Sequence, residues 1–504
     1  MGVDNLKSKL FLGSAYQYSA IIVGAFFGFL TIALLVRKLS LEDFGFYNFV
    51  GSFILFVDIA TSFGLVSVVQ RYLPEYRAKK DAGFQKKIIT SALASRLVAI
   101  IVFGAAFFFL RDYVIDFFKL PEYFNGLLPL ILLLILFKLQ SQIVGDAALV
   151  SIFENKFFGL VKNFYNVFKF ALFYLSLRSG YGITGVLYVW CFMELAALLL
   201  YSYKIRTSVY SLPENGSTEA LPYRRFFNFG VQLWIHNILY LFRDRVADVF
   251  IISYFWGQAE VGLYSLAFGI PLTVFAFSPG NVLRSISISF LTHKYSLDHD
   301  KSTVNHFFQI INKVTFFTIW PVLVIFAVLA EEIMTIVFRS GHPGIVGWFA
   351  VSAGFAFIAQ FLSAFSVVLY TIEESKIALR ASTFYLYNLL MDLLLVPRFG
   401  YGGAILATGT TSILLIPYYL LTFKRFGLEL RYPWKAFLVM VLNSVPMILV
   451  LYLASSHVKS IAQLGLISLV SFSVYLFASY CNKAFDESDR NFINEAMGRK
   501  VWNF

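Results

Sequence analysis

Residues 10–36 read LFLGSAYQYSAIIVGAFFGFLTIALLV, and this stretch contains no charged residue. A helix needs about 20 consecutive apolar residues to cross the hydrocarbon core of a bilayer. A cleaved signal peptide has a shorter apolar core, followed by a cleavage site of small residues. The stretch is too long for such a core, and it follows Lys7 and Lys9. It therefore predicts a first transmembrane helix that is retained in the protein.

Similar apolar stretches recur along the whole chain, separated by short charged loops. The longest polar gap, near residues 203–225, is too short for a soluble domain. We therefore predict an all-α polytopic membrane protein whose function is carried out by its helices. The sequence predicts fourteen spans, at residues 12–36, 44–69, 88–110, 127–150, 157–177, 182–203, 226–256, 262–291, 307–329, 345–371, 377–397, 402–423, 436–455 and 461–481.

The composition supports this class, because the chain is 59% hydrophobic and only 14% charged. A soluble domain of that composition would expose large apolar patches and aggregate. The net charge is +12, but the basic residues gather in loops that lie inside if the N-terminus is cytoplasmic, most densely at residues 71–87. The positive-inside rule explains this asymmetry, so the charge does not indicate nucleic-acid binding. We predict a multi-pass protein of the cytoplasmic membrane with both termini cytoplasmic.

Motifs for chemistry are few. Cys191 and Cys481 both fall in predicted spans, so they build neither a disulfide framework nor a metal cluster. Residues 180–185 fit the pattern G-x-G-x-x-G, but a dinucleotide site needs a strand before that pattern. The glycines instead predict a tight turn between two helices. We expect no catalytic residue, no metal and no cofactor, and therefore a protein that is not an enzyme.

Two segments of the chain repeat earlier ones. EDFGFY at residues 42–47 matches AEVGLY at residues 259–264, and the turn at residues 180–182 matches the turn at residues 400–402. Six crossings return the chain to its starting side, so the two copies have the same orientation. Parallel repeats related by an axis along the membrane normal are typical of transporters. We predict an N-lobe at residues 1–203 with helices 1–6, a cytoplasmic linker at 204–225, a C-lobe at 226–424 with helices 7–12, and helices 13–14 with a cytoplasmic tail at 425–504.

Ionisable residues at membrane depth are the candidate functional residues, because each costs about 2.5–3.5 kcal/mol at a helix centre on insertion scales. The alternative for each is an ion pair that fixes packing, or a long side chain that reaches the interface, which we favour for Lys138, Asp146 and Lys313. Asp244 and Asp248 share one helix face at i, i+4, and Arg245 can reach Asp248 at i, i+3, so we assign both aspartates a structural role. Asp58 and Asp392 are candidates for a coupling ion. The cations assigned to a substrate cavity are Arg243, Arg245, Arg284, Arg96 and Lys169.

The chain resembles the polysaccharide-type flippases of the multidrug/oligosaccharidyl-lipid/polysaccharide exporter superfamily. That resemblance implies two lobes around a central cavity, alternating access, and export of a sugar unit carried on polyprenyl pyrophosphate. The last two predicted spans distinguish the chain from the twelve-span drug exporters of the same superfamily. The matching elements are LSLEDFGFY at residues 39–47, FGL at 63–65 through RYLPE at 71–75, Asp244-Arg245, VGLY at 261–264 and the two Gly-Tyr-Gly turns.

The predicted function is therefore flipping of a lipid-linked oligosaccharide for a surface polysaccharide such as lipopolysaccharide or exopolysaccharide. The predicted partners are the polyprenyl-pyrophosphate-linked glycan, membrane lipid, and a glycan polymerase or glycosyltransferases of the same pathway, with no nucleic acid. The cations would hold pyrophosphate, since the planar guanidinium of arginine matches phosphate. One alternative is a multidrug exporter of the same superfamily. The other is a membrane-embedded polysaccharide polymerase or ligase, for which the predicted outside loops are short.

Overall fold

The computed structural model describes residues 3–213, 222–242, 245–278, 300–339, 341–372 and 374–497, together with residues 288, 291, 292, 295, 502 and 504. Over these residues the secondary structure is helical and contains no β-strand, which confirms the predicted all-α class. The chain divides into two compact units, Met1–Gly262 and Leu263–Phe504. The predicted lobe boundaries near residues 204–225 stay a prediction.

The first unit is built mainly from long helices. Helix α1 packs along α7, and α8 packs against both α6 and α7. Helices α6 and α8 run on as π-helical segments, Gln142–Leu149 and Arg206–Tyr210. The helices are α1 (Val3–Lys38), α2 (Leu41–Ser62), α3 (Leu65–Ala78), α4 (Ala82–Phe109), α5 (Arg111–Phe118), α6 (Phe124–Ser141), α7 (Asn155–Arg178), α8 (Gly182–Ile205), α9 (Tyr223–Leu241), α10 (Arg245–Trp256) and α11 (Gln258–Ala267).

Local sequence signals explain where these helices begin and end. Ser40 caps α2, because its hydroxyl accepts a hydrogen bond from the Asp43 amide at 3.0 Å. Helix α2 ends at a sharp break in which Phe63 and Gly64 both have positive φ, 43° and 73°. A side chain at Gly64 would lie 2.2 Å from the carbonyl oxygen of Gly230, so glycine is required where this break packs on α9.

The second unit contains α12 (Gly269–Phe275), α13 (Lys301–Val328), α14 (Ala330–Glu332), α15 (Ile345–Gln360), α16 (Leu362–Thr371), α17 (Ser375–Ala381), α18 (Thr383–Phe399), α19 (Tyr401–Arg425), α20 (Trp434–Asn443), α21 (Val445–Ser455), α22 (Ile461–Cys481) and α23 (Glu487–Met497). A π-helical segment, Ile333–Val337, follows α14. The last helix, α23, lies in the tail that follows the fourteenth predicted span. Aromatic rings from α13, α16 and α19 pack together in the core of this unit, with Phe308, Phe365 and Phe423 almost fully buried.

Several predicted spans consist of two helices. The eighth predicted span is interrupted at Phe268, just before Pro271, as the position of the proline predicts. The thirteenth is interrupted at Ser444, whose hydroxyl donates to the Val441 carbonyl at 2.6 Å. Pro446 follows and cannot donate to the helical ladder. The Pro279-Gly280 pair in the eighth predicted span could interrupt a helix a second time, but it lies outside the described residues.

Within the described residues, 11 helices are long and apolar enough to cross a membrane. They correspond to predicted spans one to four, six and nine to fourteen. The three other predicted spans coincide with α7, with α9 and α10, and with α11 and α12. Helix α7 carries Lys156, Lys162, Lys169 and Arg178, which lowers its hydropathy. A multi-pass membrane protein is therefore established, and the count of fourteen stays a prediction.

Both Gly-Tyr-Gly motifs form turns that contain glycine with positive φ. In the first Gly-Tyr-Gly turn, Gly180 and Gly182 have φ of 82° and 53°, and in the second Gly400 has φ of 56°. Each turn joins two consecutive helices, so the prediction of a tight helix-to-helix turn is confirmed.

Candidate functional site

Charged side chains meet within the first unit, where the last turn of α6 lies beside the middle of α7 and α8. The Lys138 Nζ donates to Glu194 Oε1 at 2.9 Å. The same oxygen accepts from the Tyr165 hydroxyl at 2.6 Å and from the Trp190 indole nitrogen at 3.3 Å. Glu194 is only 2% exposed. A carboxylate can be kept at this depth because several donors replace its lost hydration.

Lys169 lies beside this cluster and is surrounded by aromatic rings. Its Nζ is 4.4 Å from the centroid of the Trp190 ring, 5.3 Å from that of Phe173 and 5.6 Å from that of Tyr165. Cation–π contacts of this kind are worth about 0.5–2 kcal/mol each, most when they are desolvated. Among the described carboxylates, none lies within ion-pairing distance of Lys169. The cluster therefore holds two ammonium groups and one carboxylate.

A second charged pair joins α2 and α4. Arg96 is fully buried, forms an ion pair with the Asp58 carboxylate, and also donates to the Asp58 carbonyl at 3.0 Å. The amide of Gln142 donates to the other Asp58 oxygen at 3.3 Å. Gln142 begins the π-helical continuation of α6, one helical turn beyond Lys138. The two clusters are therefore neighbours along α6, and π-helical insertions are frequent at functional sites.

Arg245 contacts α2 from the start of α10. Its guanidinium donates to the Asn48 side-chain oxygen at 2.8 Å. The preceding residue, Tyr47, packs its ring 5.2 Å from the Trp190 ring that lies under Lys169. Helix α2 thus connects the Arg245 contact with the lysine cluster. Asp248 is fully buried, and its predicted pairing with Arg245 stays a prediction.

The remaining predicted site residues fall elsewhere. Asp392 is fully buried in the second unit and accepts a hydrogen bond from Asn388 at 3.1 Å. Asn388 in turn accepts from the Thr411 hydroxyl at 3.1 Å. Arg243, Asp244 and Arg284 lie outside the described residues. The structure thus brings Arg96 together with Asp58, and Lys169 together with Lys138 and Glu194.

A basic surface lies where α3 ends, outside the predicted spans. Glu75 is bonded to Lys79 at 2.9 Å and contacts Arg71 at 3.4 Å and Arg225 at 3.5 Å. The hydrogen bond from Lys79 is the main reason that the pKa of the Glu75 carboxyl is held below its usual value. This basic surface carries more cations than carboxylates, which is what the positive-inside rule predicts for the cytoplasmic side of a membrane protein.

Sequence reasoning did not assign a functional role to Lys138 and Glu194. Both are recognisable as charges at membrane depth, but 56 positions separate them, and helical spacing rules pair only residues three or four apart. The sequence signal that could have paired Lys138 with Glu194 is the presence of opposite charges at similar depth in predicted spans four and six. The lysine cluster can bind an anion, because its two ammonium groups, Lys138 and Lys169, are balanced by one carboxylate, Glu194. Among the described residues there is no group of three side chains suited to a metal ion.

Comparison with known proteins identifies the family. A family described as polysaccharide biosynthesis protein matches residues 34–346, more than half of the chain. A relative in Methanocaldococcus jannaschii, an uncharacterized membrane protein, is 21% identical over 501 residues, covering 94% of this chain and 96% of the relative.

Solved structures show the fold. The lipid II flippase MurJ in an inward closed conformation has a TM-score of 0.65 and 17% identity, covering 97% of this chain and 100% of that one. An inward-facing multidrug resistance MATE transporter of the MOP superfamily has a TM-score of 0.64 and 12% identity, covering 82% and 98%. The two-lobed transporter fold inferred from the resemblance is confirmed. The chain belongs to the family of polysaccharide biosynthesis proteins, with the fold of MOP-superfamily transporters.

Proposed function

We propose that this protein is a flippase that moves a polyprenyl-pyrophosphate-linked oligosaccharide across the cytoplasmic membrane for synthesis of a cell-surface polysaccharide. The observation that supports the proposal is the set of cations within the helices of the first unit, of which Arg96 is fully buried and Lys138, Lys169 and Arg245 are half-buried. Charges at this depth are costly and normally serve a pathway or a ligand. An anionic lipid headgroup is a ligand that cations at this depth can bind.

Each part of the substrate would occupy a different environment. The sugar and the pyrophosphate would enter the cationic interior from the cytoplasm, and the polyprenyl tail would stay in lipid. Lys169 and Arg245 would contact the headgroup, together with Arg243 and Arg284, which the sequence assigns to the same site. Alternating access would then open the interior to the outside without any covalent chemistry.

Asp392 and Asp58 remain the proposed sites for a coupling proton or sodium ion. Asp392 is fully buried and lies among amide and hydroxyl groups, those of Asn388 and Thr411. Asp58 is paired with Arg96, so uptake of an ion there would have to loosen that pair.

The proposal is tested by depleting the protein in its own cell and measuring the lipid-linked glycan on each leaflet. We expect the glycan to accumulate on the cytoplasmic leaflet while synthesis of its lipid-linked form continues. Unchanged surface polysaccharide and unchanged leaflet distribution would contradict the proposal. Glycosyltransferase genes next to the gene for this protein would support the proposed function independently.

One observation favours a second candidate, a multidrug exporter, because a MATE transporter has nearly the same TM-score as the lipid II flippase. The flippase, however, covers 97% of this chain and the MATE transporter 82%. Cationic drugs would also be repelled by a site with excess lysine and arginine. Export of a cationic dye that depends on the protein, with no effect on glycan, would favour the exporter.

A further inference from the structure

Glu194 is the shared acceptor of the lysine cluster. Three donors from three helices converge on its Oε1, namely Lys138 Nζ, the Tyr165 hydroxyl and the Trp190 indole nitrogen. The Tyr165 and Trp190 rings that donate to Glu194 are the same rings over which Lys169 lies. The carboxylate therefore holds Lys138 directly and orients Lys169 through two aromatic side chains.

The position of Arg96 is different. It is fully buried and already paired with a carboxylate, so in this conformation no ligand can reach its guanidinium. The Lys138 side chain retains 29% of its exposure, although it is bonded to Glu194. Unlike Arg96, Lys138 can therefore be reached by an incoming anion, and Lys169 beside it is half-buried.

We propose that Glu194 is the positioning residue of an oxyanion site formed by Lys138 and Lys169, and that it competes with the anionic group of the substrate for Lys138. This inference rests on the proposed function and deepens it. When substrate is bound, its phosphate oxygens contact both ammonium groups. When substrate leaves, Glu194 neutralises Lys138 again, so that the helices can move without an unpaired buried charge.

Competition predicts a specific kinetic signature. Removing the negative charge of Glu194 strengthens substrate binding and slows release, so KM and kcat fall together. A purely structural carboxylate would instead lower the amount of folded protein and leave KM unchanged or raised. The two roles are therefore distinguished by the direction in which KM changes.

The transport experiment uses the full chain in vesicles with a polyprenyl-pyrophosphate-linked N-acetylglucosamine that carries a nitrobenzoxadiazole label. Quenching by external dithionite reports flipping. We expect Glu194→Gln, whose amide can still accept from Tyr165 and Trp190, to lower both KM and kcat several-fold. Lys138→Met should raise KM. Adding Glu194→Gln to Lys138→Met should not change KM further, because glutamine keeps the bonds to Tyr165 and Trp190 and the lost negative charge acts on Lys138.

The matched control is Glu154→Gln. Glu154 pairs with Lys204 at 3.3 Å in the same unit but lies at a helix end, away from the cluster. Glu154→Gln should leave both KM and kcat unchanged. A raised or unchanged KM in Glu194→Gln would overturn the proposal.

A binding measurement separates this inference from the proposed function. Inorganic pyrophosphate should raise the Tm of the detergent-solubilised protein, since a ligand that binds the folded state stabilises it. Lys138→Met and Lys169→Met should each abolish the rise, Glu194→Gln should enlarge it, and Glu154→Gln should match the wild type. Stabilisation by glucuronate but not pyrophosphate would assign the site to an acidic sugar instead of the lipid phosphate. No stabilisation by either anion would overturn the oxyanion site, whereas stabilisation without lipid flipping would count against the proposed function alone.

Discussion

Gly45 and Gly262 pack against each other's helices in a reciprocal contact. A Cβ atom at Gly45 would lie 1.7 Å from the Gln258 carbonyl oxygen, and one at Gly262 would lie 2.5 Å from the Leu41 carbonyl oxygen. Leu41 is four residues before Gly45, and Gln258 is four residues before Gly262. A contact of this kind, in which i meets j and j meets i, is what a local two-fold relation produces. It supports the duplication of EDFGFY and AEVGLY.

We expect Gly45→Ala and Gly262→Ala to destabilise the protein, because each added methyl group would overlap a backbone carbonyl that cannot move alone. Overpacking typically costs about 1–3 kcal/mol. Gly28→Ala is the matched control, since nothing lies within 4 Å of its added Cβ. Alanine there should be neutral or stabilising. Thermal unfolding in detergent measures the difference, and equal Tm values for all three variants would refute the close contact.

The sequence predicted what depends on local patterns and missed what depends on distant partners. Hydropathy located the helices, Pro271 marked an interruption, and the Gly-Tyr-Gly motifs predicted tight turns. The contact of Arg245 is different, since helical spacing predicted Asp248 as its partner, whereas the Asn48 to which its guanidinium donates lies 197 positions away. Such a contact depends on which faces of two helices meet, and a single sequence does not show which faces those are.

The Arg96–Asp58 pair yields a prediction about stability. Arg96→Ala leaves Asp58 without its partner, and breaking a buried pair costs about 3–5 kcal/mol. We therefore expect much less folded protein in the membrane, measured by size-exclusion chromatography of a fluorescent fusion. The double variant Arg96→Leu with Asp58→Asn should recover a large part of the yield. A normal yield for Arg96→Ala would mean that the pair does not stabilise the fold.

The tail should be anchored by a buried lysine. Lys313 in α13 pairs with Asp489 in α23 and lies 3.7 Å from Asp486. Nearby, the Phe317 ring is 5.4 Å from that of Trp502. Lys313→Ala should release the tail and lower Tm, with a cost of about 3–5 kcal/mol.

Limited proteolysis provides the measurement for this variant, because a released tail is cleaved faster. Arg431→Ala removes one partner of an exposed pair and should change stability by about 0.5 kcal/mol or less. A tail that is cleaved equally fast in the wild type and in Lys313→Ala would contradict the anchor.

The predicted topology follows from the placement of basic residues and can be tested by labelling. The protein has two cysteines, so a background that lacks Cys191 and Cys481 is straightforward. Single cysteines at Lys79 and Ser211 should be labelled by an impermeant maleimide only after the cell is opened. Single cysteines at Tyr113 and His342 should be labelled in intact cells. Labelling of position 211 from outside would contradict the orientation and the two-lobe scheme.

The central claim is that buried cations carry a lipid-linked pyrophosphate across the membrane. The most direct measurement is the flipping rate, in vesicles containing only the purified protein, of a labelled polyprenyl-pyrophosphate glycan and of the same glycan on an uncharged polyprenyl ether. We predict rapid flipping of the pyrophosphate lipid by the wild type and severe loss in Lys169→Met, Arg245→Ala and Arg284→Ala. The uncharged lipid should not be moved. Wild-type rates in all three variants, or equal rates for the charged and uncharged lipids, would contradict the account.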